Sequence, residues 1–209
     1  MTAAALEFPH LASRGAYVDF CEGRGLDPHL QVPHYRPDYM KHLWPKLNKN
    51  RILELGSCTG GNLLMLAQMW NWVTGVECSH HLVQKFYGHL RKWPLFVRQR
   101  VRMIEGMIED LDLPDRFEWI LLTETLEHVM DPIPILQVAR RHVDPRGKMF
   151  VTAPGVLIGA PTHVRGVPPE DLEAWLGETG WRTTEMFVNP VGLGCAEVYP
   201  QTLCFAEAV

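Results

Sequence analysis

The chain has 209 residues, 46% hydrophobic and 21% charged, with a formal net charge of −4 and a pI near 6.2; this is ordinary globular composition at a length that suits one domain. The acidic balance excludes a global basic footprint, so no nucleic-acid partner is expected, and no apolar run approaches the ~18 residues of a membrane span. The five cysteines, at 21, 58, 78, 195 and 204, are scattered and odd in number, giving neither a disulfide framework nor a zinc site; a reduced, cytoplasmic setting without a membrane partner is expected.

Residues 1–34 carry the least pattern. Tyr17–Cys21 suits a short helix ended near Gly23 or Gly25, and Asp27-Pro28 and Val32-Pro33 mark loops. The opening MTAAALEFPHLASR lacks a basic start followed by an apolar core, so it does not read as a signal peptide. A helix is expected over 37–47, with His34 and Tyr35 just before it.

Ile52-Leu53-Glu54-Leu55 is an apolar run of the kind found in strands buried on both faces, at the middle of a parallel sheet. The small-residue turn Gly56–Gly61 follows, and then Leu63, Leu64, Leu66 and Ala67 recur at helical spacing over 60–70. A strand, a glycine turn and a helix together expose backbone N–H groups to a ligand at the helix start. Glu54 is an acid inside this apolar strand and needs a partner there. Glu77 closes the next strand, 72–77, about 20 residues beyond the glycines, where an acid can bind ribose hydroxyls.

Ser79 is positioned to cap a helix running to about Trp93, with Pro94 beyond its end. Arg91-Lys92 with Arg98, Arg100 and Arg102 reads as a solvated basic face. Val101–Ile104 is a third strand, followed by the loop Gly106–Glu109, and residues 117–122 form a fourth strand. Asp131-Pro132 opens a helix to about Val143 with a capping acid and a first-position proline. Asp144–Gly147 turns into a fifth strand, 148–153. The loop 154–168 is long enough to be functional. Pro168–Asp171 begins a helix ended by Gly180, and strands near 181–188 and 197–206 close the chain. The alternation predicts an α/β fold: a three-layer sandwich around a seven-stranded, mostly parallel sheet.

ELGSCTG resembles motif I of class I S-adenosylmethionine (SAM)-dependent methyltransferases, with Glu54, Gly56 and Gly60 matching and Cys58 standing where a middle glycine is usual, a departure that narrows the methionine pocket. VTGVECS resembles motif II, with Glu77 as the ribose ligand and Cys78 beside it. The likeness begins near Tyr35. It implies a Rossmann-like methyltransferase domain over 35–209 and a lid formed by 1–34. Tyr35 would reach the methionine carboxylate, Met107 and Ile108 would pack on the adenine, and Thr123 would line the cofactor site. In relatives an acid follows the glycine of the loop after the third strand; Met107 replaces it here, leaving backbone groups or Glu109 to meet the adenine amino group.

TETLEHV, residues 123–129, lies just past the fourth strand, on the edge where open α/β sheets bind ligands. If the segment is helical, Glu124, Glu127 and His128 share one face. Two carboxylates and an imidazole there suit Mg²⁺ or Mn²⁺ with open positions for substrate oxygens. E-x-x-E-H with a later histidine, here His163, resembles two methyltransferase groups, those of ubiquinone biosynthesis and those acting on small-RNA 3′ ends. The resemblance implies Glu124, Glu127, His128 and His163 as metal ligands, with His128 and Glu127 catalytic. In metal-free members of the superfamily the histidine is instead a general base or a wall residue. Substrate walls are expected from the N-terminal lid, the 154–168 loop, Trp175, Trp181 and Asn189, around a small-molecule sugar, diol or ring hydroxyl. The alternatives are an RNA 3′-terminal 2′-O-methyltransferase, a non-catalytic partner subunit of the same fold, and a nicotinamide dehydrogenase, whose cofactor also uses a glycine turn and a ribose acid. The acceptor, the oligomeric state and the identity of any metal are left open by the sequence.

Overall fold

The computed structural model describes residues 37–158, 162–189 and 200–209. The proposed 1–34 lid and Tyr35 lie outside them.

The seven strands are β1 (Arg51–Leu55), β2 (Trp72–Glu77), β3 (Val101–Glu105), β4 (Phe117–Thr123), β5 (Val143–Pro154), β6 (Trp181–Asn189) and β7 (Gln201–Ala208). They form one sheet in the order β3-β2-β1-β4-β5-β7-β6. The first five are parallel, and β7 runs antiparallel to both β5 and β6. The helices are α1 (Pro37–Leu43), α2 (Gly61–Gln68), α3 (His80–Leu90), α4 (Leu95–Arg98), α5 (Pro132–His142) and α6 (Pro169–Glu178). Among the described residues no helix is long and apolar enough to cross a membrane.

The apolar strands divide their side chains between two cores. Leu53, Leu55, Ile120 and Leu122 pack with Ile135, Leu136, Leu172 and Leu176 of α5 and α6. Ile52, Trp119 and Leu121 pack on the other side with Tyr39, Leu43, Leu63, Leu64, Val83 and Phe86 of α1, α2 and α3. Period-two alternation in strands covered on both faces gives the expected three layers.

The helix starts follow their capping residues. Ser79 Oγ accepts from Leu82 N, and Asp131 Oδ1 accepts from Ile133 N at 3.0 Å. Three local expectations change. The turn expected at Asp144–Gly147 is absorbed into β5, with a register shift against β4 between Phe117 and Trp119. Leu95–Arg98 forms a short extra helix. Trp181, expected at the substrate wall, is 2% exposed in the core, its Nε1 donating to the Leu136 carbonyl.

Candidate active site

The turn after β1 is held from beneath by β2. Gly56 N and Ser57 N both donate to the Val76 carbonyl, at 3.0 and 2.9 Å, and Gly60 N donates to Ser57 O. Gly56 has φ +81°, and a Cβ there would lie 2.7 Å from Thr125 Oγ1. Thr125 Oγ1 in turn donates to the Leu55 carbonyl at 2.9 Å. The glycine turn and the TETLEH segment are therefore in direct contact at the carboxyl ends of β1 and β4.

Cys58 also sits in the left-handed region, at φ +49°. Glu77 stabilises that conformation: its Oε2 accepts from Cys58 N at 2.8 Å and its Oε1 from Ser79 N at 2.9 Å. Burial pushes the Glu77 carboxyl up, and these N–H donors oppose the shift. The Cys58 thiol is pushed up to about 12 by burial and by the Glu77 charge, so it is not a thiolate nucleophile at neutral pH. A non-glycine residue in the left-handed region costs roughly 1–2 kcal/mol. Cys58→Gly is therefore expected to raise the thermal midpoint by about 1–3 °C, part of the gain being offset by unfolded-state entropy; an unchanged or lower midpoint in calorimetry contradicts it.

Glu54 is fully buried. Its Oε1 accepts from Asn62 Nδ2 at 2.8 Å and from Thr123 Oγ1 at 3.0 Å, while its buried Oε2 lacks a hydrogen-bond partner among the described residues. An orphaned carboxylate oxygen beside a glycine cradle fits the ammonium group of a methionine moiety. Asn62 completes this cluster and was not anticipated; the available signal was a polar side chain in the first turn of an apolar helix, eight residues past the buried acid.

Burial pushes the Glu54 carboxyl up to about 7, the Asn62 and Thr123 hydrogen bonds offsetting part of the shift. The unfolded chain releases this proton near its ordinary value of 4.5, so above that pH the folded state retains a proton that the unfolded state has lost. Stability of the cofactor-free protein should fall as pH rises from about 4.5 to 7, by roughly 3 kcal/mol at the upper end. Urea unfolding at pH 5 and 7.5 measures this, and Glu54→Gln should flatten the difference; an identical pH dependence in that variant refutes it.

TETLEHV does not form the expected α-helix. Glu124 has φ +54°, and only Leu126–His128 makes a single 3₁₀ turn. Tertiary partners determine this. Glu124 N donates to the Thr152 carbonyl at 2.8 Å, and Glu124 Oε1 accepts from Thr152 Oγ1 at 3.0 Å. The Gln201 amide nitrogen, assigned by its neighbours, lies 3.2 Å from the same oxygen, and its amide oxygen lies 3.3 Å from the Tyr39 hydroxyl. Glu124 thus belongs to a polar network with β5, β7 and α1.

Glu127, His128 and His163 do converge: one potential ligand atom from each lies within 4.8 Å of the others. The long loop is clasped to the β4 turn by Val164 N donating to Glu127 O at 2.9 Å and by Arg165 donating to Met130 O. The His128 and His163 rings meet edge to face, 4.5 Å between centroids. His128 Nδ1 lies 3.0 Å from the Thr162 carbonyl. A carbonyl only accepts, so Nδ1 carries the proton and Nε2 is the basic atom. Burial holds the His128 pKa below its ordinary value, opposed by that carbonyl, which favours the neutral imidazole. Two imidazoles and one carboxylate, one imidazole oriented by a backbone carbonyl, fit a transition ion such as Mn²⁺ better than Mg²⁺.

At the remaining expected positions, Cys78 Sγ lies 3.5 Å from Glu77 Oε1, and Met107-Ile108 leads into a 3₁₀ turn after β3, with Ile108 packed against the core. Trp175 is partly buried under Arg165. Asn189 ends β6, paired with Gln201.

Residues 53–151 match a family model described as a methyltransferase domain. The ubiquinone biosynthesis O-methyltransferase of Xylella fastidiosa (strain 9a5c) is 29% identical over 165 residues, covering 69% of this chain and 65% of the relative. The protein of the same name from Actinobacillus pleuropneumoniae serotype 5b (strain L20) is 27% identical over 188 residues, covering 78% and 80%. The chain thus spans less than two-thirds of the first curated relatives it matches, 65% and 61% of their lengths. Among solved structures, the glycopeptide N-methyltransferase MtfA complexed with SAM has a TM-score of 0.68 at 15% identity, over 84% of this chain and 96% of that one. CcbJ methyltransferase from Streptomyces caelestis has 0.68 at 17%, over 88% and 91%. These likenesses establish the fold.

Proposed function

We infer that this chain, whose residues 53–151 match the methyltransferase domain model and whose fold is that of solved SAM-dependent methyltransferases, is itself a SAM-dependent methyltransferase that methylates a hydroxyl oxygen on a small ring-bearing acceptor. The observation that carries this reading is the Glu127–His128–His163 cluster, which sits beside the glycine turn through the Thr125–Leu55 contact. The oxygen acceptor is supported by the relatives, which are named O-methyltransferases. The fold alone does not decide the acceptor, since a structural neighbour is named an N-methyltransferase.

Bound SAM supplies an activated methyl group on a sulfonium, open to in-line displacement. Glu54 Oε2 and the glycine turn would hold its methionine end. Glu77 already anchors the turn through Cys58 N and would present its carboxylate to the ribose. The chain's chemical task is to orient the hydroxyl and remove its proton. His128 Nε2 is placed to accept that proton, with Thr162 fixing the ring from the opposite nitrogen. A divalent cation held by Glu127, His128 and His163 would lower the hydroxyl pKa.

The test is transfer of labelled methyl from SAM to a panel of catechols and phenols, with chelator and with Mn²⁺, Zn²⁺ or Mg²⁺ restored. Label on ring oxygen, lost on chelation and restored best by Mn²⁺, is expected. Undiminished turnover in chelator removes the metal and leaves His128 as a base. No transfer to any hydroxyl while S-adenosylhomocysteine still binds ends the acceptor assignment.

A cationic ligand group beside Glu54 favours the ionised carboxylate. The thermal stabilisation given by S-adenosylhomocysteine should therefore be larger at pH 8 than at pH 6; an equal shift at both values contradicts that placement.

A further inference from the structure

The edge of the sheet opposite the glycine turn carries a feature that methyl transfer does not use. Trp70 follows α2, Trp72 opens β2, and both are about half exposed, at 52% and 53%. Leu95, at the start of α4, is 59% exposed, and Met69 is 37% exposed. These residues form one assembly. Trp70 stacks on Phe96 with centroids 5.2 Å apart. The Arg100 guanidinium lies 4.5 Å from the Trp70 ring and 5.3 Å from the Trp72 ring, and its Nη1 donates to Phe96 O.

The assembly is held against a backbone cost. Trp70 has φ +66°, at a helix C-terminal position where glycine is usual, so an exposed tryptophan is kept where a smaller residue would be relaxed. The charge along the segment that follows β2 is one-sided. Residues 78–104 contain six Lys and Arg and no Asp or Glu, in a chain whose net charge is −4. Arg91, Lys92 and Arg98 are exposed, and among the described residues none of the three has an ion-pair partner; Arg102, by contrast, pairs with Asp115 at 2.8 Å.

We propose that this face, built from Met69, Trp70, Trp72, Leu95 and the flanking cations Arg91, Lys92 and Arg98, docks on an anionic lipid surface. Indole rings and aliphatic tips with Lys and Arg beside them are the composition that settles at a headgroup boundary, the apolar parts immersed and the cations on lipid phosphates. A second copy of the chain is disfavoured because it would oppose like charges. Base stacking by a nucleic acid is disfavoured because the Trp70 ring is already engaged by Phe96 and Arg100. Peripheral docking needs no spanning segment, so it is compatible with the absence of an apolar run of that length. β2 runs from this edge to the glycine turn, about 3.3 Å per residue over its six residues, so the cofactor edge of a docked protein faces the aqueous side.

The test is sedimentation of the full chain with phosphatidylcholine vesicles, with and without phosphatidylglycerol. Binding is expected to the anionic vesicles at low salt, at least ten-fold weaker to neutral ones, and reversed at high salt. The triple change Arg91→Gln, Lys92→Gln, Arg98→Gln should weaken it about 100-fold, near five-fold for each cation. Leu95→Ser should weaken it about ten-fold; its exposure makes a folding defect unexpected, and thermal midpoints check this. Failure to bind anionic vesicles, equal binding to neutral ones, or unchanged binding by both folded variants overturns the proposal. Salt-sensitive binding to an RNA homopolymer or an acidic polypeptide in place of vesicles assigns the face to another partner and overturns it as well.

Discussion

Replacing His128 with alanine is expected to lower methyl transfer by about 10²- to 10⁴-fold, the range for losing a positioned acid–base group, while S-adenosylhomocysteine still raises the thermal midpoint. The cofactor end of the site depends on Glu54, Asn62, Thr123 and the glycine turn, whereas the His128 ring reaches to the Thr162 carbonyl and towards Glu127 and His163. Removing it deletes the basic nitrogen and one fastening of the long loop. His128→Gln can restore a donor to Thr162 but not an imidazole base, so it should remain nearly as slow. Equal loss of turnover and of cofactor stabilisation in the alanine variant would mean that the fold, not the chemistry, had failed. Recovery of most activity in the glutamine variant would make His128 a loop fastening only.

The largest stability effect is expected at Gly60. Its φ is +72°, and a Cβ there would lie 2.3 Å from the Phe86 ring, itself fully buried on α3. Alanine at this position incurs about 1–2 kcal/mol for the left-handed conformation and about 1–3 kcal/mol for overpacking. At 2–4 °C per kcal/mol for a chain of this size, Gly60→Ala should lower the midpoint by roughly 5–15 °C. Gly88, in the interior of α3, is the control: a Cβ there meets nothing within 4 Å, and alanine should stabilise by up to about 1 kcal/mol. Scanning calorimetry of the pair decides the matter. A Gly60→Ala midpoint within 1 °C of the parent would mean that the turn does not pack on Phe86 as described.

The sheet was legible because its strands are covered on both faces, and runs such as Ile52–Leu55 and Ile120–Leu122 have no other use. The caps at Ser79 and Asp131 were legible because capping is local chemistry. The TETLEH segment was not, because its conformation depends on Thr152, 28 residues away, and on Gln201 beyond that; a helical-face argument based on spacing could not include those pulls. The same network engages the Glu124 carboxylate through Thr152 and Gln201. His163 was placed by resemblance alone, and the backbone clasp at Val164 that brings it to the cluster leaves no trace in composition. Trp181 looked like a substrate wall because aromatic residues serve equally in cores, and only its neighbours separate the two roles. Asn62 was missed because one polar residue in an apolar helix has many readings until Glu54 is seen beside it.

β7 is synthesised after β6 but lies between β6 and β5. During translation β6 therefore has no neighbour to join until β7 emerges, and the β5 ladder presents bare N–H and C=O groups meanwhile. A nascent chain halted before Gln201 would lack two strands, not one, and would offer a ready template for mispairing. Ribosome-stalled lengths on either side of β7 should differ sharply in protease resistance and in retention by chaperones.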